Sequence, residues 1–130
     1  MNTTSFLLVR LALGASMFGH GLVRMPKLRG FSEWMVGSFS KSMLPAALVT
    51  PFSYFVPFAE LVIGILLLLG LFTAQAAFAG GLIMVALIFG SCMIEHWDSI
   101  GSLLMHAALF ALLTGFVQYN SWAVDKVLRP

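Results

Sequence analysis

Charge is what this 130-residue sequence has least of: seven Lys and Arg and five Asp and Glu, 9% in all. Soluble domains carry about 25%. With 60% hydrophobic residues and a mean hydropathy of +0.98, the chain cannot cover its own surface in water, which excludes a soluble globular domain. The few basic residues lie in short segments between apolar runs, so no nucleic-acid-binding face is expected. One cysteine, Cys92, excludes an intramolecular disulfide framework. Haem-attachment sequences, dinucleotide-binding glycine loops and phosphate-binding loops are also missing. The first six residues hold no Lys or Arg, and Arg10 interrupts the apolar stretch that follows. Both features argue against a cleaved secretory signal, so this stretch is expected to remain as a span.

What is abundant is long apolar sequence. Crossing the hydrocarbon core takes roughly 20 apolar residues in a helix, and four segments reach that length, at about residues 5–23, 52–72, 74–94 and 100–119. The expected fold is an all-α integral membrane protein, four transmembrane helices in one bundle, with residues 1–130 as a single transmembrane domain. The second and third spans form a hairpin pivoting near Thr73. The third and fourth are joined by the polar turn Glu95-His96-Trp97-Asp98-Ser99, and Trp97, Tyr119 and Trp122 fall at span ends, where amphipathic rings prefer to lie. Residues 24–51 are too long for a simple turn. Within them Phe31, Trp34, Met35, Phe39 and Met43 recur at helical spacing, which predicts a short amphipathic helix at the interface or folded back over the bundle. Pro57 is expected to bend the second span just before Glu60. Arg24, Lys27, Arg29 and Lys41 lie on the long-loop side. Lys126 and Arg129 lie on the other, with Arg10 able to snorkel toward it, so the charge count places the long loop in the cytoplasm.

An ionisable residue at bilayer depth costs a few kcal/mol, about 3 on insertion scales, and is a functional candidate by default. Glu60 lies eight residues past Phe52, about 12 Å into the bilayer. Without a partner, such a carboxyl is expected to stay protonated and act as a hydrogen-bond donor. His20 and His106 fall about 5 Å and 9 Å below the long-loop surface on two other spans, and Arg10 lies deeper toward the opposite face. Glu60, His20, Arg10 and His106 are therefore the candidate ligand-binding set, in a polar pocket facing the long loop with Arg10 as its floor. The alternative is that these side chains act as interhelical glue, worth about 1 kcal/mol each. It applies to His106 with Ser102 one turn earlier, to His20 as an interfacial histidine between Gly19 and Gly21, and to Arg10 as a structural ion pair. Cys92 and His96 are one turn apart and make half a metal site with no second pair, so no metal is expected. The motifs Ala76-x-x-x-Gly80 and Ala77-x-x-x-Gly81 are small-residue packing faces that permit a homo-oligomer.

The segment Leu8-Val9-Arg10-Leu11-Ala12-Leu13-Gly14 with Gly19-His20-Gly21, and the block from Glu60-Leu61-Val62-Ile63-Gly64 to Gly70-Leu71, resemble the DoxX family of small bacterial membrane proteins. The resemblance implies a four-helix protein of the bacterial cytoplasmic (inner) membrane, with Arg10, His20 and Glu60 at the positions of the family pattern. Some relatives are subunits of thiosulfate:quinone oxidoreductase or of other membrane oxidoreductase complexes. By that association the chain is expected to be an oxidoreductase subunit binding a quinone or similar lipid-soluble molecule, with Glu60 or His20 passing a proton and a partner subunit supplying electrons. Two other classes stand beside it: a non-enzymatic membrane scaffold or assembly factor docking a partner through residues 31–43, and a small oligomeric transporter subunit.

Overall fold

The computed structural model describes residues 1–128; Arg129, which entered the charge count above, lies outside the described residues. The order is α1 (Thr3–Arg24), a 3-10 turn, α2 (Leu28–Ser38), α3 (Ala46–Leu69), α4 (Thr73–Met93), α5 (Ile100–Gly115) and the short α6 (Val124–Leu128), with no strand among the described residues. Four helical runs are long and apolar enough to cross a membrane: Thr3–Ser38, Ala46–Leu69, Thr73–Met93 and Trp97–Gly115. The chain is a multi-pass membrane protein.

Local chemistry sets the ends of these helices. Asn2 and Ser5 form a reciprocal capping box at the start of α1, with Ser5 N donating to Asn2 Oδ1 at 2.8 Å. Helix α1 runs to Arg24, where Pro26 sits in the 3-10 turn Met25–Lys27. Pro45 caps α3, which begins six residues before the expected start of that span, and both Pro51 and Pro57 lie inside the helix. Gly70 ends α3 in the left-handed region at φ 71°, and Leu71 N closes back on Leu66 O at 2.9 Å. Helix α5 is shorter than expected, ending at Gly115, and a 3-10 turn over Val117–Tyr119 follows it.

Lipid tails are as apolar as leucine, so helices in a bilayer associate through close packing. One face of α1 (Phe6, Arg10, Leu13, Gly14, Met17, Gly21) is buried, at the 3–4 residue spacing of a single stripe. It meets α3 backbone to backbone at two glycines. A Cβ on Gly21 would lie 2.5 Å from Leu61 N, and one on Gly64 would lie 2.3 Å from Phe18 N. On the other side of the bundle the Phe110 ring of α5 fills the notch at Gly80 of α4, where a Cβ would come within 2.3 Å of it. The small-residue face expected at Ala76, Ala77 and Gly80 is thus used inside the chain, and all three are buried. The hydrophobic core joins Phe6, Leu13, Met17, Ile63, Leu67, Met84, Phe110 and Leu113.

The amphipathic segment forms a helix that packs on the bundle. Helix α2 packs on α3, with Met35 buried and the Ser32 and Ser53 hydroxyls in a buried 2.6 Å hydrogen bond. The helix stops at Ser38, so Met43 is outside it and exposed, and Trp34 is exposed too.

The glycine contacts generate a graded prediction. A Cβ on Gly19 would meet nothing within 4 Å, so Gly19→Ala is expected to be silent in thermal unfolding. Gly21→Ala and Gly64→Ala are each expected to cost about 1–3 kcal/mol, the usual range for overpacking a rigid contact.

Candidate functional site

The α1–α3 contact places three polar side chains of the long-loop half side by side. Gly21 lies against Leu61, so Glu60 on α3 stands opposite the α1 turn that carries His20 and Arg24. Arg24 Nη1 donates to Glu60 Oε1 at 2.5 Å, and the Arg24 guanidinium carbon also lies 4.6 Å from the centre of the Phe31 ring on α2. Glu60 is 5% exposed and Arg24 32%. A charge pair with one member buried depends on that partner: removing either leaves an uncompensated charge. Glu60 is therefore an ion-pair acceptor, not the lone protonated donor expected of a carboxyl without a partner.

Around the pair is a cavity of about 90 Å³ lined by Met17, His20 and Arg24 of α1, Glu60 of α3, Met84 and Leu87 of α4, and Ser102, Leu103 and His106 of α5. The two imidazoles meet edge to face with ring centres 6.2 Å apart. Ser16, one turn before His20, bridges to His106 Nε2 at 2.8 Å. His20 Nδ1 lies 2.6 Å from the Ser16 carbonyl oxygen, and His106 Nδ1 lies 2.8 Å from that of Ser102.

A second cavity, about 280 Å³, lies beneath α2. Phe31, Trp34, Phe39 and Phe52 supply its aromatic walls, and Arg24, Ser91, His96 and Ser99 supply polar groups. Arg24, Leu87 and Leu103 line both cavities, so the guanidinium stands in the wall between them. No group of three or more His, Cys, Asp or Glu side chains suited to a metal occurs among the described residues. Cys92 is exposed and unbridged, and His96 Nδ1 is 3.2 Å from Ser99 Oγ.

The DoxX family model matches residues 5–96. The chain belongs to the DoxX family. Neither a curated protein nor a solved structure matches it. In this DoxX chain the matched region holds Arg10, His20, Arg24 and Glu60, whereas α5, which supplies Ser102 and His106, lies beyond it.

Of the four side chains singled out in the sequence, Glu60, His20 and His106 line one cavity and Arg10 does not. Arg10 shares the buried face of α1 with Arg24, but fourteen residues separate them, about 21 Å along the helix. It is therefore not the floor of a pocket facing the long loop. Its Nη1 donates to Asn120 Oδ1 at 2.8 Å, and Asn120 Nδ2 donates to Thr73 Oγ1 at 3.0 Å and approaches Asp125 Oδ2 at 3.4 Å. The Asp125 carboxylate in turn accepts from Phe72 N at 2.7 Å and Thr73 N at 2.9 Å, at the open start of α4. Gly70 is required here twice over: its φ is positive, and a Cβ would lie 2.7 Å from Arg10 Nη1. Arg10 Nε is buried without a hydrogen-bond partner, so this cluster specifies where the C-terminal segment docks at a cost in desolvation.

Sequence reasoning passes over Arg24 because the apolar run ends at Val23 and the arginine counts as a loop charge. The available signal is helical spacing, since Arg24 is one turn past His20 and on the stripe of Gly14, Met17 and Gly21. Ser16 is legible in the same way. Asn120 and Asp125 carry no comparable signal, because Asn120 lies in irregular chain beyond α5 and Asp125 in the short α6.

Both networks are open to stability measurements. Arg24→Met is expected to lower unfolding stability by on the order of 3 kcal/mol, and adding Glu60→Gln to it should recover most of that loss, as read by thermal denaturation in lipid nanodiscs. Asn120→Leu is expected to cost about 2 kcal/mol by orphaning the Arg10 guanidinium, and to speed proteolytic release of the C-terminal segment.

Proposed function

We propose that the chain binds the head group of a quinone-class molecule in the cavity beneath α2 and serves as the membrane subunit of an oxidoreductase complex in the bacterial cytoplasmic membrane. The observation that carries this reading is the position of Arg24. It is anchored to Glu60 through one nitrogen, stacked on Phe31, and partly exposed in the wall of a cavity with aromatic sides. Small-molecule sites are mostly apolar concavities of about 300–1,000 Å³ with a few placed polar groups. The 280 Å³ here suits a flat head group, with any isoprenoid tail left in the lipid.

The donor set fits the group. Quinone carbonyls accept hydrogen bonds, and Arg24, Ser91 and His96 are donors that line the same cavity as four aromatic rings, while the Ser99 hydroxyl donates within the chain. Such a molecule, when bound, supplies two-electron chemistry coupled to two protons. The chain's own part is to bind, to orient and to hold protons. Arg24 orients a carbonyl, the aromatic walls exclude water, and Glu60 behind Arg24 is the proton-exchanging group. A partner subunit supplies the electrons. Arg10 and its cluster serve folding.

The experiment is mass spectrometry of what co-purifies with gently solubilised protein. A quinone enriched in the wild type and lost in Arg24→Met and Glu60→Gln is the expected result. A partner protein retained in every sample, with no bound small molecule in any, would favour the scaffold reading instead.

A further inference from the structure

Glu60 is buried, and His20 lines both its chamber and a groove on the outer face of α1. A groove of about 480 Å³ runs along the outer face of α1, lined by Ala15, Ser16, Gly19, His20, Val23 and Arg24. Among the described residues, only His20 and Arg24 belong to both this groove and the Glu60 chamber. An arginine does not release its proton in a protein, which leaves His20.

The hydrogen bonds determine which of its nitrogens is available. A carbonyl oxygen can only accept, so the 2.6 Å contact to Ser16 O places the proton on His20 Nδ1. Neutral His20 then has a bare Nε2, for which no hydrogen bond is made within the described residues. His106 is different. Its Nδ1 donates to Ser102 O, and its Nε2 accepts from Ser16 Oγ, so both nitrogens are committed. The charged and titratable groups facing His20 are Arg24 on its own helix, Glu60 on α3 and His106 on α5; α4 contributes Met84 and Leu87 and nothing that titrates.

We propose that His20 is the proton gate of the Glu60 chamber, exchanging protons between the outer groove and the Glu60 carboxylate. Nε2 takes a proton from the groove side, giving an imidazolium with both nitrogens protonated. It then releases that proton across water in the chamber to a Glu60 oxygen and returns to the neutral form; no electrons move. The 90 Å³ chamber has room for several waters, since one needs about 10–15 Å³ of such space. The purpose of the gate rests on the proposed reading of Glu60 as the group that exchanges a proton on ligand turnover. Its test uses no quinone, so the two can fail separately.

The test is time-resolved infrared spectroscopy of the whole chain in lipid nanodiscs after a pH jump, with the Glu60 carboxyl signal assigned by its loss in Glu60→Gln. In His20→Ala the Glu60 response should slow at least about tenfold, and free imidazole in the buffer should restore it. His20→Gln retains a donor to the Ser16 carbonyl but cannot titrate, and should be as slow as His20→Ala. The gate is overturned by a wild-type rate in His20→Gln, by a slowed His20→Ala that imidazole does not rescue, or by a Glu60 signal that never responds in the wild-type protein.

Discussion

The backbone contact between α1 and α3 is the constraint from which the rest of the arrangement follows. With Gly21 against Leu61 and Gly64 against Phe18, the two helices approach more closely than side chains allow. In lipid, where apolar surface gains nothing by leaving the solvent, that closeness supplies the dispersion contacts that hold helices together. It also sets the register. Once Gly21 faces Leu61, the neighbouring Glu60 must face the turn holding His20 and Arg24. A buried carboxylate is stabilised by a cation beside it, and that register delivers one.

The protein places its polar groups in two separate clusters toward opposite ends of the bundle. On the Arg24 side, the pair is hydrogen-bonded once, half open and bordered by two cavities. On the Arg10 side, the guanidinium is buried under Asn120, and Asp125 clasps the start of α4. The first arrangement leaves donors for something to bind. The second engages Asn120 and Asp125 in holding the chain's own backbone and side chains. Two arginines on one face of α1 thus have different roles because of what closes over each.

Helix α5 has the smallest buried share of the four spans, yet it completes the chamber with Ser102, Leu103 and His106. Its anchorage is the Phe110 ring in the Gly80 notch of α4. Helix α2 covers the other side and brings Phe31 under Arg24. All four spans contribute to the wall of the chamber, and α2 covers the larger cavity beside it.

Much of this is legible in the sequence. Four spans, the Thr73 hairpin, the helix in the first loop and the common level of Glu60, His20 and His106 along the bundle follow from length and periodicity, because a bilayer demands apolar runs of fixed length and a helix advances a fixed distance per residue. Family membership is legible in the blocks around Arg10 and Glu60. What periodicity cannot state is where one helix faces another. Arg24 reads as a loop charge until the helix is seen to continue to it, and Arg10 reads as a pocket floor until Asn120 is found folded onto it from 110 residues away. Composition and spacing alone determine which segments are long and apolar enough to cross a membrane. Which cation meets Glu60 is settled in three dimensions, because azimuth around a helix is set by packing against neighbours and has no signature along the chain.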